Sequence, residues 1–305
     1  MIRAFSDEDL DAAAALLERR HERHRATEPL LPAEIDARAD IGELWSKNSA
    51  SGAFAQGGYL LGWPNPNERW WGPNVWVEAA GHAADDPELV RDLYARAATG
   101  WVEQGLKAHY VVVPTGDPAL VDAWFRLGFG AQHAYGILEI PDVEWPANVR
   151  RATPNDVEQL VAIAPRLQEH QGLSPVFSGV PPQDDDEVRA DIVSELDSDR
   201  SVNLVVETDG LVVGNFFACP IEDSEMHRGL ARPAGAALLA FAVTDPPVRG
   251  TGVGVALTDA CFAWARERGY ETMVTDWRVT NLLSSRFWPR RGFRTSFLRL
   301  HRLIA

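Results

Sequence analysis

Cysteine is nearly absent: the 305 residues hold only Cys219 and Cys261. The two fall in a predicted strand and a predicted helix, so neither a disulfide framework nor a thiolate metal site is expected, and a reducing cytoplasm fits. Histidine supplies no other metal set. His21 and His24 stand three apart on an amphipathic helix with no third ligand beside them, so no metal is expected. No basic-then-apolar leader opens the chain, and no apolar run reaches the length that spans a bilayer, so no membrane partner is expected. Positive charge is also short, with 29 Lys and Arg against 44 Asp and Glu and a net charge of -15. That balance argues against the phosphate neutralisation on which nucleic-acid binding depends, and it biases the chain toward a small cationic partner. The densest acidic run, residues 184–187, precedes apolar Val188, Ile192, Val193 and Leu196 and reads as a helix cap and first turn.

What is present suffices for two cores, since 46% of the residues are hydrophobic and the length exceeds the usual single-domain range. The halves echo each other. The opening Met1-Ile-Arg-Ala-Phe-Ser-Asp-Glu-Asp-Leu10 aligns with Val149-Arg-Arg-Ala-Thr-Pro-Asn-Asp-Val157, and Trp124 to Gly128-Phe129 aligns with the segment ending Gly292-Phe293. Two tandem domains are therefore expected, at 1–140 and 149–305, joined by an aperiodic, proline-containing linker at 141–148. The second half carries the chemistry. An apolar strand at 237–243 runs through a Pro-rich turn into Arg249-Gly250-Thr251-Gly252-Val253-Gly254-Val255, which opens a helix at 253–268. Glycines there free the backbone to approach an anion, the first helix amides are unsatisfied donors, and Arg249 adds a fixed charge: a pyrophosphate cradle. The dinucleotide fingerprint fails, because its third glycine would fall on Val255.

This Arg-x-x-Gly-x-Gly loop resembles the coenzyme A loop of the GNAT N-acetyltransferase superfamily. A second strand at 272–277 and the run from Asn281 through Trp288 to Gly292-Phe293 extend the resemblance over most of the C-terminal half. The resemblance implies an α+β fold, with two GNAT-like domains that are each a mostly antiparallel twisted sheet flanked by helices, the second having a parallel pair that splays. It implies acetyl-CoA as co-substrate, with pyrophosphate on the amides of Gly250 to Val255 and pantetheine along Phe241, Ala242 and Val243 and held by Asn281. It implies direct transfer of the acetyl group to the amine of a small molecule by a cytoplasmic monomer or homodimer. Two alternatives stand beside it: a non-catalytic acyl-CoA-binding protein, and an aminoacyl transferase of paired GNAT-like domains.

One departure concerns the proton. Trp288 occupies the position of the family's tyrosine, and an indole is no useful acid. Either Ser284 or Ser285 supplies the proton, or the thiolate leaves unassisted, as a thiol of pKa about 8.5 can. The base is chosen among Asp276, then Glu222, with Asp245, Asp223, Glu225 and His227 behind them. In the first half no glycine loop follows 74–78. The chain reads Ala79-Ala-Gly-His-Ala-Ala-Asp-Asp-Pro87, so that domain is expected to be a degenerate copy or a second site with other anchors. Seven of the eleven tryptophans precede residue 130, Trp63, Trp70, Trp71 and Trp76 among them. They read as packing or as the wall of an apolar site.

Overall fold

The structure, a computed structural model, describes residues 1–305 except 48–49, 69–70, 179–182, 225–226 and 228, so Trp70 and Glu225 lie outside the described residues. Along the chain the elements are β1 (Arg3–Ala4), α1 (Leu10–Thr27), α2 (Ala37–Ser46), β2 (Ser51–Ala55), β3 (Gly58–Asn65), β4 (Asn74–Val77), β5 (His82–Ala84), α3 (Pro87–Glu103), β6 (Ala108–Pro114), α4 (Pro118–Arg126) and β7 (Gly130–Glu139). There follow β8 (Arg150–Arg151), α5 (Val157–Ile163), α6 (Pro165–Gly172), α7 (Asp185–Asp197), β9 (Val202–Thr208), β10 (Leu211–Pro220), β11 (Ala237–Thr244), α8 (Val253–Glu267), β12 (Thr272–Arg278), α9 (Ser284–Arg290) and β13 (Arg294–Leu303). Two compact units result. The first takes residues 1–135, 227–233 and 295–305, and the second takes 136–226 and 234–294. The division is not head to tail, as a single joint at 141–148 would make it. β7 starts in one unit and ends in the other, and β13 gives all but its first residue to the first unit.

In the first unit the strand order is β1-β2-β3-β4-β6-β13 and then the start of β7, with β5 on β3. The pairings β1–β2, β2–β3, β3–β4, β3–β5 and β6–β13 are antiparallel, whereas β4 and β6 run parallel. β6 is buried along its length because both faces are covered. Val111 and Val113 meet Val90, Leu93 and Trp101 of α3, while Val112 faces the cluster holding Leu16, Leu17 and Ile41 of α1 and α2. In the second unit the order is the end of β7, then β12-β11-β10-β9-β8, with β11 and β12 parallel. Helices α5 and α7 cover one face through Leu160, Val161, Ile163 and Ile192 against Val205, Val212 and Val243. Helix α8 sits close to β10, since a Cβ on Gly214 would come within 3.0 Å of Val253 and 2.9 Å of Leu257. Each unit is therefore α+β, a mainly antiparallel sheet flanked by helices with one parallel pair. The acidic run at 184–187 does cap and open α7, Asp184 accepting from the Asp186 amide.

The units repeat three local devices. At each start an arginine grips an aspartate six residues on, and a hydroxyl residue between them shares that aspartate: Arg3, Ser6 and Asp9, then Arg150, Thr153 and Asp156. Arg150 holds the Asp156 carboxyl at about 2, below the usual carboxylate range. At the end of α4 and of α9, a glycine of positive φ (Gly128 +82°, Gly292 +95°) stops the helix. The next phenylalanine folds edge-on against the helix tryptophan, Phe129 to Trp124 at 5.0 Å and Phe293 to Trp288 at 5.6 Å. The third device is the parallel strand pair, with one long helix between its strands.

Where the second unit follows its strand with glycines, the first closes on itself. Residues 79–81 make a 3₁₀ turn whose neighbouring carbonyls point inward. The buried guanidinium of Arg20 donates to Ala79 O at 2.6 Å and to His82 O. The fully buried His82 ring meets Val112 O through Nε2 at 3.0 Å, on the strand that pairs with β4. Burial lowers the Arg20 pKa to about 10, and burial reinforced by the Arg20 charge lowers His82 to about 3 and His24 to about 4. Both imidazoles are thus neutral in the folded state, and protonation favours unfolding. Their contribution is complete above the ordinary imidazole value of about 6.5 and falls away as pH drops from there toward 4 and 3. Thermal unfolding followed by circular dichroism should therefore show a midpoint that declines steadily from pH 7.5 to pH 5. His24→Phe, which keeps the ring packed on Phe297, should decline less steeply.

Candidate functional site

The site begins where β11 and β12 part. Their parallel ladder has three pairs, Ala237–Met273, Leu238–Val274 and Leu239–Thr275, and the Thr275 hydroxyl closes it by donating to Leu239 O at 2.9 Å. Beyond that point β11 stays on β10, with Phe241 opposite Phe217, Ala242 opposite Phe216 and Val243 opposite Asn215. The register jumps between Phe217 and Ala218, leaving Ala240 as an extra residue on β11. A bulge of this kind bends its strand, here away from β12, and leaves residues 241–244 paired on the β10 side only.

β11 leads through a Pro-rich turn to the glycines. Gly250 has φ +81° and Gly252 φ +100°, and neither would bring a Cβ within 4 Å of anything, so glycine is required there by the backbone and not by crowding. Gly252 caps α8, and the first helical bond of the turn runs from Ala256 N to Gly252 O at 3.0 Å. The amides of Val253, Gly254 and Val255 precede it and have no intrahelical acceptor. Thr251 donates its hydroxyl to Val248 O at 2.8 Å, and Arg249, half-buried, anchors its Nε on Thr244 O at 3.3 Å. A Cβ at Gly254 would lie 3.5 Å from the Phe287 ring of α9, a neighbour of the loop that sequence reasoning missed.

Across the opening, Asn281 follows β12 and is 5% exposed. Its Oδ1 accepts from Leu283 N at 3.1 Å and Ser284 N at 3.4 Å, which seats the start of α9. Ser285 N donates to Asn281 O at 2.9 Å, so both serines stand half-buried in that first turn. Asp276, half-buried, is the first residue past the last parallel pair. Trp288 lies elsewhere, in the core, 5% exposed among Phe216, Phe287 and Phe293, as Trp124 lies in the other unit. Glu222 stands before the start of β11, at the end opposite the parting, and its Oε1 accepts from Gly235 N at 2.8 Å. Asp223 pairs with Arg200 at 3.2 Å, and His227 is buried against Tyr135 in the first unit. Helix α6 is the element the sequence did not suggest. Arg166 reaches Asp245 at 3.5 Å, Leu167 packs beside Phe241 and Val243, His170 Nε2 meets Asn281 Oδ1 at 3.2 Å, and Gln171 accepts from Arg278 at 3.0 Å. One short helix thus touches both lips of the opening.

Burial pushes the thiol of Cys219 up to about 12 and that of Cys261 further up, so neither is a nucleophile. Among the described residues no three His, Cys, Asp or Glu side chains could hold a metal ion together, and no helix is long and apolar enough to cross a membrane.

Residues 167–293 match the family described as Acetyltransferase (GNAT) family, the span of the parted strands, the loop and α9. That part of the chain is a GNAT domain. No curated relative matches the chain in sequence. Among solved structures, a GCN5-related N-acetyltransferase from Sphaerobacter thermophilus aligns with a TM-score of 0.61 at 14% identity, covering 99% of this chain and 95% of that one. A glucosamine N-acetyltransferase region of a fungal multi-domain GH3 β-N-acetylglucosaminidase aligns at 0.57 and 15% identity, over 99% of this chain and 38% of that one. Both likenesses extend the fold over the whole chain.

The loop geometry separates its glycines. Gly252→Ala forces a side chain onto φ +100° and should cost about 1–3 kcal/mol, whereas Gly254→Ala, in a helical turn with an ordinary contact to Phe287, should be neutral or stabilising by up to about 1 kcal/mol. Denaturant unfolding of the two variants checks this ordering.

Proposed function

We propose that the protein is a cytoplasmic N-acetyltransferase that moves the acetyl group of acetyl-CoA to the amine of a small molecule, by direct attack, in its second unit. The observation that carries this reading is the coincidence of a one-sided strand edge at 241–244 with a left-handed glycine loop and free helix amides at the end of the same strand. The group fits: Gly250 and Gly252 place backbone at an open surface, and Arg249 and the amides of Val253, Gly254 and Val255 suit a pyrophosphate. Phe241, Ala242 and Val243 offer the backbone edge for the pantetheine amides, and Asn281 stands across from them. Bound there, acetyl-CoA supplies an activated thioester.

The chain's own groups then have three tasks. A backbone amide on the edge near Val243 or Thr244 polarises the carbonyl oxygen. Asp276, the first residue of β12 past its last pair with β11, accepts the proton that the attacking nitrogen loses. Ser284 or Ser285, in the first turn of α9, relays a proton from water to sulfur as the C–S bond breaks and is reprotonated by that water; otherwise the thiolate leaves unassisted. An acyl-cysteine route is disfavoured, since both thiols are buried and hard to ionise. The acidic net charge favours a cationic acceptor.

The first unit reads as a degenerate copy in a tandem duplication. The three repeated devices support common descent of the two units, and the turn at 79–82 supports loss of function. Where the second unit offers amide hydrogens to an anion, the first aims carbonyl oxygens at its own Arg20. A non-catalytic acyl-CoA-binding role keeps one argument, the packing of Trp288 in the core where it offers no acid.

Calorimetric titration with acetyl-CoA should give one site per chain, lost in the Arg249→Glu, Gly252→Val double variant. Two sites would restore function to the first unit, and none would remove acyl-CoA from the reading. Release of free thiol with a panel of amines then separates catalysis from binding alone.

A further inference from the structure

His170 is the only histidine between residues 136 and 226 or between 234 and 294, the residues of the second unit, and the acyl-transfer reading gives it no task. Its position is nonetheless specific. It sits on α6, a helix that lays Leu167 on the cluster with Phe241 and Val243 and fastens Arg166 to Asp245 beyond β11 and Gln171 to Arg278 at the end of β12. His170 Nε2 is 3.2 Å from Asn281 Oδ1.

The hydrogens follow from what surrounds that oxygen. Leu283 N and Ser284 N both point at the same Asn281 atom, and backbone amides only donate, so the atom is the carboxamide oxygen and not its nitrogen. His170 must then donate as well, which fixes the Nε2–H tautomer and leaves the lone pair on Nδ1. With Oδ1 accepting three donors, the Asn281 carboxamide can turn only its NH2 group outward, and that group has no partner among the described residues.

We infer that His170 is a positioning residue: it locks the Asn281 carboxamide so that Nδ2 presents its hydrogens to a carbonyl of the acyl-CoA arm. The inference deepens the acyl-CoA reading and rests on it. Leu283 N and Ser284 N alone leave the carboxamide held from one side, by a helix start. The third donor comes from a helix that touches both strands of the opening, so the orientation of Asn281 is tied to the lip across from it.

Two measurements test this. Nitrogen-15 NMR of the histidine rings needs no ligand. At pH 8 the His170 ring should be the Nε2–H tautomer, and Asn281→Ala should abolish its preference. An Nδ1–H ring, or one indifferent to Asn281→Ala, would overturn the inference whether or not acetyl-CoA binds. Calorimetry with acetyl-CoA then compares the protein with His170→Leu and His170→Gln. Loss of one donor should weaken binding about tenfold in His170→Leu, and His170→Gln, whose carboxamide NH2 can donate to the same oxygen, should return to within about twofold. Unchanged affinity in His170→Leu, or no rescue in His170→Gln, defeats the positioning role. So does a His170→Gln protein that binds normally but loses turnover together with the acid limb of its pH profile, since the imidazole would then be carrying the proton itself. Failure of the unaltered protein to bind acetyl-CoA would defeat the acyl-CoA reading, while the ring spectra still decide whether His170 orients Asn281.

Discussion

The second unit depends on two strands that cannot stay together. Parallel strands pair through evenly spaced bonds and are normally buried along their whole length. Here the ladder is cut after Leu239 and Thr275 by one extra residue, Ala240, inserted against β10. An interrupted ladder leaves backbone donors and acceptors that must find another partner, and an extended ligand rich in amides is the natural one. In the acyl-CoA reading proposed above, the left-handed glycines at the far end of β11 and the asparagine beyond the far end of β12 serve one ligand because the strands have parted between them.

The first unit shows what becomes of the same geometry when the chain itself occupies it. Its parallel pair runs four residues, and the turn that follows is drawn inward by Arg20 and His82. A guanidinium fully removed from water is costly, and here two backbone carbonyls accept from its terminal nitrogens while its Nε is left without a partner among the described residues. The two units thus differ in the polarity of one short turn more than in their architecture.

Much of this was legible in the residues. The loop could be read because glycines alternating ahead of a helical pattern have few structural explanations, and its strand and helix appear within a residue of where the pattern put them. The departure at Trp288 was visible, but its burial was not, because a tryptophan one turn before Gly-Phe looks the same whether it faces a ligand or Phe216 and Phe293. Arg20 stayed hidden since it follows Arg19 in a helix rich in charge, where only three-dimensional packing tells the buried arginine from the exposed one. The meeting of His170 with Asn281 spans 111 residues and has no local signature.

The last strand has a consequence for how the chain comes into being. β13 supplies Phe297, Leu298 and Leu300 to the two cores of the first unit and pairs with all seven residues of β6 from Ala108 to Pro114. During synthesis these residues leave the ribosome after every residue of the second unit, so the N-terminal half waits for them with one edge of β6 unpaired. A chain that stops at residue 293 would keep the whole glycine loop and yet leave its older half unfinished, an open edge available to any neighbouring strand.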